Sequence, residues 1–103
     1  MPWFFGNETD QTAKKKKKLA EPEEFRVIML NDDYTTMDFV VTILMTIFHK
    51  NADDAAHIML DIHQKGRGTA GIYPFDIART KAEQAQALAR QQEFPLKCLV
   101  EKI

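Results

Sequence analysis

Two apolar runs that both need burial, FRVIML (Phe25 to Leu30) and MDFVVTILMTIF (Met37 to Phe48), are separated only by the polar stretch NDDYTT. In the first, Phe25, Val27 and Met29 alternate with Arg26, Ile28 and Leu30, which predicts a strand with one face fully buried and the other mostly so. In the second, Met37, Val40, Val41, Leu44, Ile47 and Phe48 recur at helical spacing, while Asp38, Thr42, Thr46 and His49 share the opposite stripe. The helix is expected to start near Thr35, acting as N-cap, with Asp38 three residues on in the place of a capping-box acid.

The rest of the chain carries its own punctuation. Asn51 is placed to cap a second helix, with Asp53 and Asp54 in the first turn, where the helix dipole favours carboxylates. That helix is predicted to run to Lys65 and stop at Gly66, burying Ala52, Ala55, Ala56, Met59 and Ile62, with His63 on or beside the same stripe. Arg67 and Gly68 complete a turn, and Gly68 to Tyr73 reads as a short second strand. Pro74 suits the opening of a third helix near residues 75–92, rich in Ala, Lys, Glu and Gln. Pro95 breaks the chain, and LKCLVEKI closes it as a strand with Leu96, Cys98 and Val100 on one face. The order β-α-α-β-α-β in about 80 residues predicts a small α+β sandwich, a three-stranded sheet packed against three helices.

Residues 1–22 read instead as a flexible N-terminal extension to a core domain spanning 23–103. They hold Pro2, Gly6 and Pro22, the polar stretch NETDQT and the run Lys14 to Lys18, with no apolar period to bury. Of the fourteen basic and fifteen acidic residues, this extension takes five lysines and three acids, leaving the body at −3, a poor surface for duplex nucleic acid. Cys98 is the only cysteine, so no internal disulfide forms and a reducing compartment fits. No stretch approaches the roughly 20 apolar residues of a membrane span, and MPWFFGNETD lacks the basic start of a secretory signal. These features point to the cytoplasm.

The chain offers little to catalysis. His57 and His63 lie six apart on one helix, about 600° of rotation, and face different ways, so they form no zincin-type pair. No Gly-centred calcium loop is present. Cys98 with His63 is the only Cys–His combination, and Cys98 sits mid-strand between apolar neighbours, as a packed cysteine does. GRGTAG has the glycines of a G-x-G-x-x-G, but no Lys-Ser/Thr follows them, and they come after a predicted helix and lead into a strand instead of joining a strand to a helix, so phosphate cradling is unsupported. The reading is of a non-enzyme without metal or cofactor.

Asn31, Asp32 and Asp33 then stand out. Asn and Asp are common turn formers, and a turn accounts for them. Three acceptor side chains in succession also suit an ammonium group, which offers three donors and no acceptor, and a neutral His63 can add another acceptor. Composition and spacing leave both readings open.

NDDYTTMDFV, then IMLDIHQKGRG, GIYPFDIARTKAEQ and FPLKCLVEKI, resembles the ClpS family of Clp-protease adaptors over residues 25–103, in order and without a gap. The resemblance implies the same β-α-α-β-α-β fold and an N-end-rule module. Such a module captures N-degrons with N-terminal Phe, Tyr, Trp or Leu and delivers them to the hexameric unfoldase ClpA and its peptidase ClpP. It implies that Asn31, Asp32 and His63 bind the α-amino group. It also implies a side-chain pocket from Leu30, Thr35, Met37, Val40, Met59, Ile62 and Leu96, with Asp33 beside it. The unfoldase interface falls on Asp76, in place of a usual Glu, and Lys81. The chain is expected to act as a monomer, with neither nucleic acid nor membrane as partner. Thr36 replaces a usual Pro. Ile62 replaces a common Val, which predicts a slightly shallower pocket and relatively weaker binding of Leu than of aromatic residues. Met37 is expected to crowd the β-branched Ile and Val. The Lys14 to Lys18 run supports an alternative, a small α+β domain binding RNA or a translation factor.

Overall fold

The computed structural model describes residues 23–103, so the expected extension over residues 1–22 lies outside the described residues. The observed elements are β1 (Glu24–Leu30), α1 (Met37–Thr46), α2 (Ala52–Lys65), β2 (Arg67–Pro74), α3 (Phe75–Gln91) and β3 (Lys97–Lys102), the order expected from the sequence. β1 is central and antiparallel to both neighbours, giving the sheet order β2-β1-β3.

Both faces of β1 are covered, which is why its run is almost continuously apolar. Val27 and Met29 are fully buried against the helical layer. Ile28 points to the other face yet is only 2% exposed. Arg67 lies opposite Leu30 and Glu101 opposite Arg26, and their 2.9 Å ion pair crosses β1 at the level of Ile28. The register against β2 shifts between Val27 and Ile28, leaving Ala70 as the extra residue of a bulge, itself fully buried. Arg67 was expected in the preceding turn; its pairing with Leu30 puts it in the strand.

The start of α1 differs from expectation by one residue. Thr36, not Thr35, is the N-cap, and its hydroxyl oxygen accepts from the Phe39 N–H at 3.1 Å. Thr35 is unavailable because its own hydroxyl donates to Asp32. Asp38 falls within the first turn, so it is not the third residue of a box closed on Thr35. The helix ends at Thr46, and the N–H of its cap residue Ile47 makes the last helical bond, to the Ile43 carbonyl at 2.9 Å. His49 adopts a left-handed backbone (φ 55°), and the Lys50 N–H returns to the Leu44 carbonyl at 3.0 Å. The α1 end is also held from outside, because the Lys81 ammonium donates to the Ile47 carbonyl at 2.7 Å and lies 5.3 Å from the Tyr73 ring centre.

α2 begins and ends where its sequence predicts and buries Ala55 and Ile62, with Ala56 and Met59 half-buried, but Ala52, expected on the same stripe, is exposed at its first turn. The Asn51 side chain accepts from the Asp54 N–H at 2.8 Å, and Gly66 closes the helix in the left-handed region at φ 88°. In α3, Ala78, Ala82, Ala85 and Ala89 form one buried stripe, so the helix lies close on the sheet. Its Gln86 side chain accepts from the Cys98 N–H at 2.9 Å, giving a donor of edge strand β3 a partner.

Candidate functional site

The polar stretch between β1 and α1 is ordered by one carboxylate. Oδ1 of Asp32 accepts from the backbone N–H of Tyr34 at 2.8 Å and of Thr35 at 2.6 Å, while Oδ2 accepts from the Thr35 hydroxyl at 2.7 Å. This turn has a local cause, since a short acid side chain reaches the N–H groups two and three residues ahead. Partial burial alone pushes the Asp32 carboxyl up. The N–H and hydroxyl of Thr35 and the N–H of Tyr34 outweigh it, and the net result lies below the usual 3.8. Asp32 is therefore ionised at neutral pH and fixed in direction.

A second bond ties this loop to α2: the Asn31 N–H donates to the Gly66 carbonyl at 2.9 Å. Asn31 stands 32 residues from His63 in the chain, and this bond at the end of α2 brings the two to one cleft. The cleft, of about 410 Å³, lies between the loop and α1 on one side and α2 on the other.

Its lining includes Asn31, Asp32, Asp33, Thr35, Met37, Val40, Met59, Ile62 and His63, all singled out from the sequence. Val40 and Ile62 are buried and Met59 is half-buried, an apolar floor, while Asn31 and His63 are exposed beside half-buried Asp32. Met37 stands at the mouth, 45% exposed. Leu30 and Leu96 are not part of the lining. Leu30 shares the strand face of Ile28 and Arg26, turned away from the helices, and Leu96 is buried in the common core. Tyr34 and Thr36 line the cleft but were not anticipated there. A lone aromatic in an otherwise polar turn, Tyr34 being 75% exposed, was the available signal for the former.

Of the remaining candidates, Asp76 is exposed in the first turn of α3, beside a shallower hollow formed with Glu23, Phe25, Pro74 and Phe75. Lys81 is half-buried and already engaged with Ile47. No group of three or more His, Cys, Asp or Glu side chains is placed to hold a metal ion among the described residues. Among them, too, no helix is long and apolar enough to cross a membrane. The Cys98 thiol is buried, which pushes its pKa up to about 12, so it is protonated and unreactive at neutral pH.

A small α+β domain thus carries a cleft with an apolar floor of side-chain size, rimmed by the ionised Asp32 and by the polar side chains of Asn31 and His63. The family model for the ATP-dependent Clp protease adaptor protein ClpS matches residues 20–99, and the chain belongs to this family. It is 57% identical over 86 residues to the ClpS adapter of Syntrophus aciditrophicus, covering 84% of this chain and 80% of that protein. It is 48% identical over 97 residues to that of Wolinella succinogenes, covering 94% and 95% respectively. Among solved structures, Agrobacterium tumefaciens ClpS2 bound to L-phenylalaninamide superposes with a TM-score of 0.77 at 34% identity, over 80% of this chain and 99% of that one. The chain is thus a Clp-protease adaptor with the α+β architecture of a ClpS protein.

Proposed function

We propose that the cleft between the Asn31–Thr36 loop and α2 captures the free N-terminus of proteins beginning with Phe, Tyr, Trp or Leu. The adaptor then delivers them to the hexameric ClpA unfoldase and its ClpP peptidase. The observation that carries this reading is the division of the cleft into an apolar floor (Val40, Met59, Ile62) and an acceptor rim (Asn31, Asp32, His63). An N-terminal aromatic residue has the same division: an ammonium with three donors on the carbon that bears a large apolar group. L-phenylalaninamide, bound by the similar A. tumefaciens protein, is such a molecule.

In this reading Asp32 supplies the negative charge, already oriented by its three bonds within the loop. Asn31 and His63 supply further acceptors, and Asp33 adds negative potential beside them. Met37, at the mouth, meets the β-carbon of the first residue and disfavours branching there. No bond is made or broken; the chain works as a monomer by binding and hand-over. Asp76 and Lys81 are the proposed unfoldase contacts, with Lys81 acting through its partly exposed stem because its ammonium is held by Ile47. The site itself calls for neither nucleic acid nor membrane.

The test is a titration with short peptides that begin with Phe, Tyr, Trp, Leu, Ile or acetyl-Phe. Binding of the first four, weak binding of Ile and loss on acetylation are expected. Equal binding of Phe and acetyl-Phe peptides overturns the reading. Indifference to all of them, with binding of RNA that falls steeply with salt, favours the lysine-tail alternative.

A further inference from the structure

We propose that Gly68, outside the cleft and on β2, is a specificity-determining residue that sets the depth available to the bound side chain. The proposal rests on the amino-terminal reading above and adds to it the element that positions one wall. Gly68 lies where α2 crosses β2. A Cβ built there would stand 2.8 Å from Ile62 Cγ1, 3.2 Å from the Ile58 carbonyl oxygen and 3.5 Å from the Ile62 nitrogen. The first distance is inside van der Waals contact, and the other two involve helix backbone, which cannot rotate out of the way.

Ile62 is 3% exposed and has the cleft on one side and Gly68 on the other. Any atom added at Gly68 therefore moves Ile62, and with it the α2 wall, toward the ligand. Conversely, the missing Cβ is what lets a side chain as large as Ile sit back from the floor. Gly68 is not in a left-handed conformation, unlike Gly66 at φ 88°, so its glycine is explained by close approach and not by backbone demand. Size selection in the cleft is thus a joint property of Ile62 and Gly68. The β-branched Cγ1 arm of Ile62, which carries Cδ1, is the part that transmits the displacement.

The experiment compares the whole chain with Gly68→Ala, Ile62→Val and the double variant, titrating peptides that begin with Trp, Phe and Leu. Gly68→Ala is expected to weaken Trp and Phe binding by about tenfold or more, as a methylene's worth of pocket volume does, and Leu binding by less. The Trp-to-Leu affinity ratio therefore falls, a change that a merely structural role would not produce. In the Ile62→Val background, with no Cδ1 to be pushed into the cleft, the same Gly68→Ala change should cost less than about threefold, because coupled neighbours are non-additive. An unchanged ratio in Gly68→Ala, or an equal loss in both backgrounds, overturns the proposal. If Gly68→Ala alone does not fold, recovery of a folded, Trp-binding chain by Ile62→Ala, which removes the Cγ1 that the new Cβ meets, supports it and failure to recover overturns it. A wild-type chain that binds none of the three peptides overturns the amino-terminal reading and this proposal together. Wild-type binding with an insensitive Gly68→Ala overturns only the latter.

Discussion

Replacing Asp32 by Asn separates the charge of this residue from its work in the loop. The Asn carbonyl oxygen can accept from the Tyr34 and Thr35 N–H groups, as Oδ1 does now at 2.8 and 2.6 Å. Its amide nitrogen faces the Thr35 hydroxyl, 2.7 Å from Oδ2 in the native chain, and that hydroxyl has only to rotate from donor to acceptor. Loop shape is preserved and the negative charge is lost. A hydrogen bond to an ionised partner contributes about 1.5–3 kcal/mol against about 0.5–1.5 for a neutral one, so the amino group should lose roughly 1–1.5 kcal/mol, or about tenfold in affinity. The assay is fluorescence anisotropy of a Phe-headed peptide, with chemical denaturation of the same samples. Binding should weaken about tenfold while stability at neutral pH falls by only about 1 kcal/mol, since the three loop bonds survive with a neutral partner. The carboxyl is held below its usual 3.8, so its contribution to stability is present above that pH and lost as pH falls further. Asp32→Asn should therefore flatten the acid limb of the stability profile. Undiminished binding by a folded Asp32→Asn chain would refute the role given to the charge. Asp32→Ala is the less informative variant, since it removes all three loop bonds and should cost about 1–2 kcal/mol in stability as well as affinity.

Substitutions at three further positions test the frame around the site. Thr36→Ala should cost about 1 kcal/mol by removing the α1 cap, whereas Thr36→Pro should fall within about 0.5 kcal/mol of wild type. The native φ of −75° already suits proline, whose stiffening of the unfolded chain offsets the lost cap; urea denaturation giving equal losses for both would contradict this. Lys81→Met should cost about 1–2 kcal/mol because it leaves the Ile47 carbonyl without its charged donor. Unchanged denaturation midpoints would mean that water replaces the ammonium fully. Burial raises the Cys98 pKa from 9.0 to about 12, so its stabilising effect is complete below pH 9 and lost as pH climbs toward 12. Cys98→Ala should flatten the alkaline limb, and an identical pH slope in the two proteins would count against the burial argument.

The order and ends of the elements were legible because the signals are local. Asn51, Gly66 and Pro74 each decide a boundary through their own backbone or side-chain chemistry, and the structure finds the boundaries there. The α1 cap was misplaced by one residue for an equally physical reason. Thr35 and Thr36 are the same residue type, and only the direction of the Thr35 hydroxyl, committed to Asp32, leaves the capping to Thr36. Contacts between distant residues gave no local signal. The Asn31–Gly66 bond and the Lys81–Ile47 bond each join groups more than thirty residues apart, and no periodicity encodes them.

For the site, apolar spacing put Val40 on α1 and Met59 and Ile62 on α2 on inward stripes, the resemblance joined them in one expected pocket, and the structure brings the three to one cleft. Leu30 was drawn into the expected pocket although strand alternation already placed it with Arg26 and Ile28, on the face turned away from the helices. The sequence offered Asp32 either as a turn former or as an ammonium ligand; the structure shows it organising the loop, and the proposed reading gives it both tasks at once. A carboxylate spent on three internal bonds would seem poorly placed to bind a ligand. Those bonds nevertheless remove its rotational freedom before the ligand arrives, and the negative charge remains at the rim. In the proposed reading, ordering is then part of folding and not a cost of binding, which is how a site made largely of small polar side chains on a loop would hold one ammonium in one orientation.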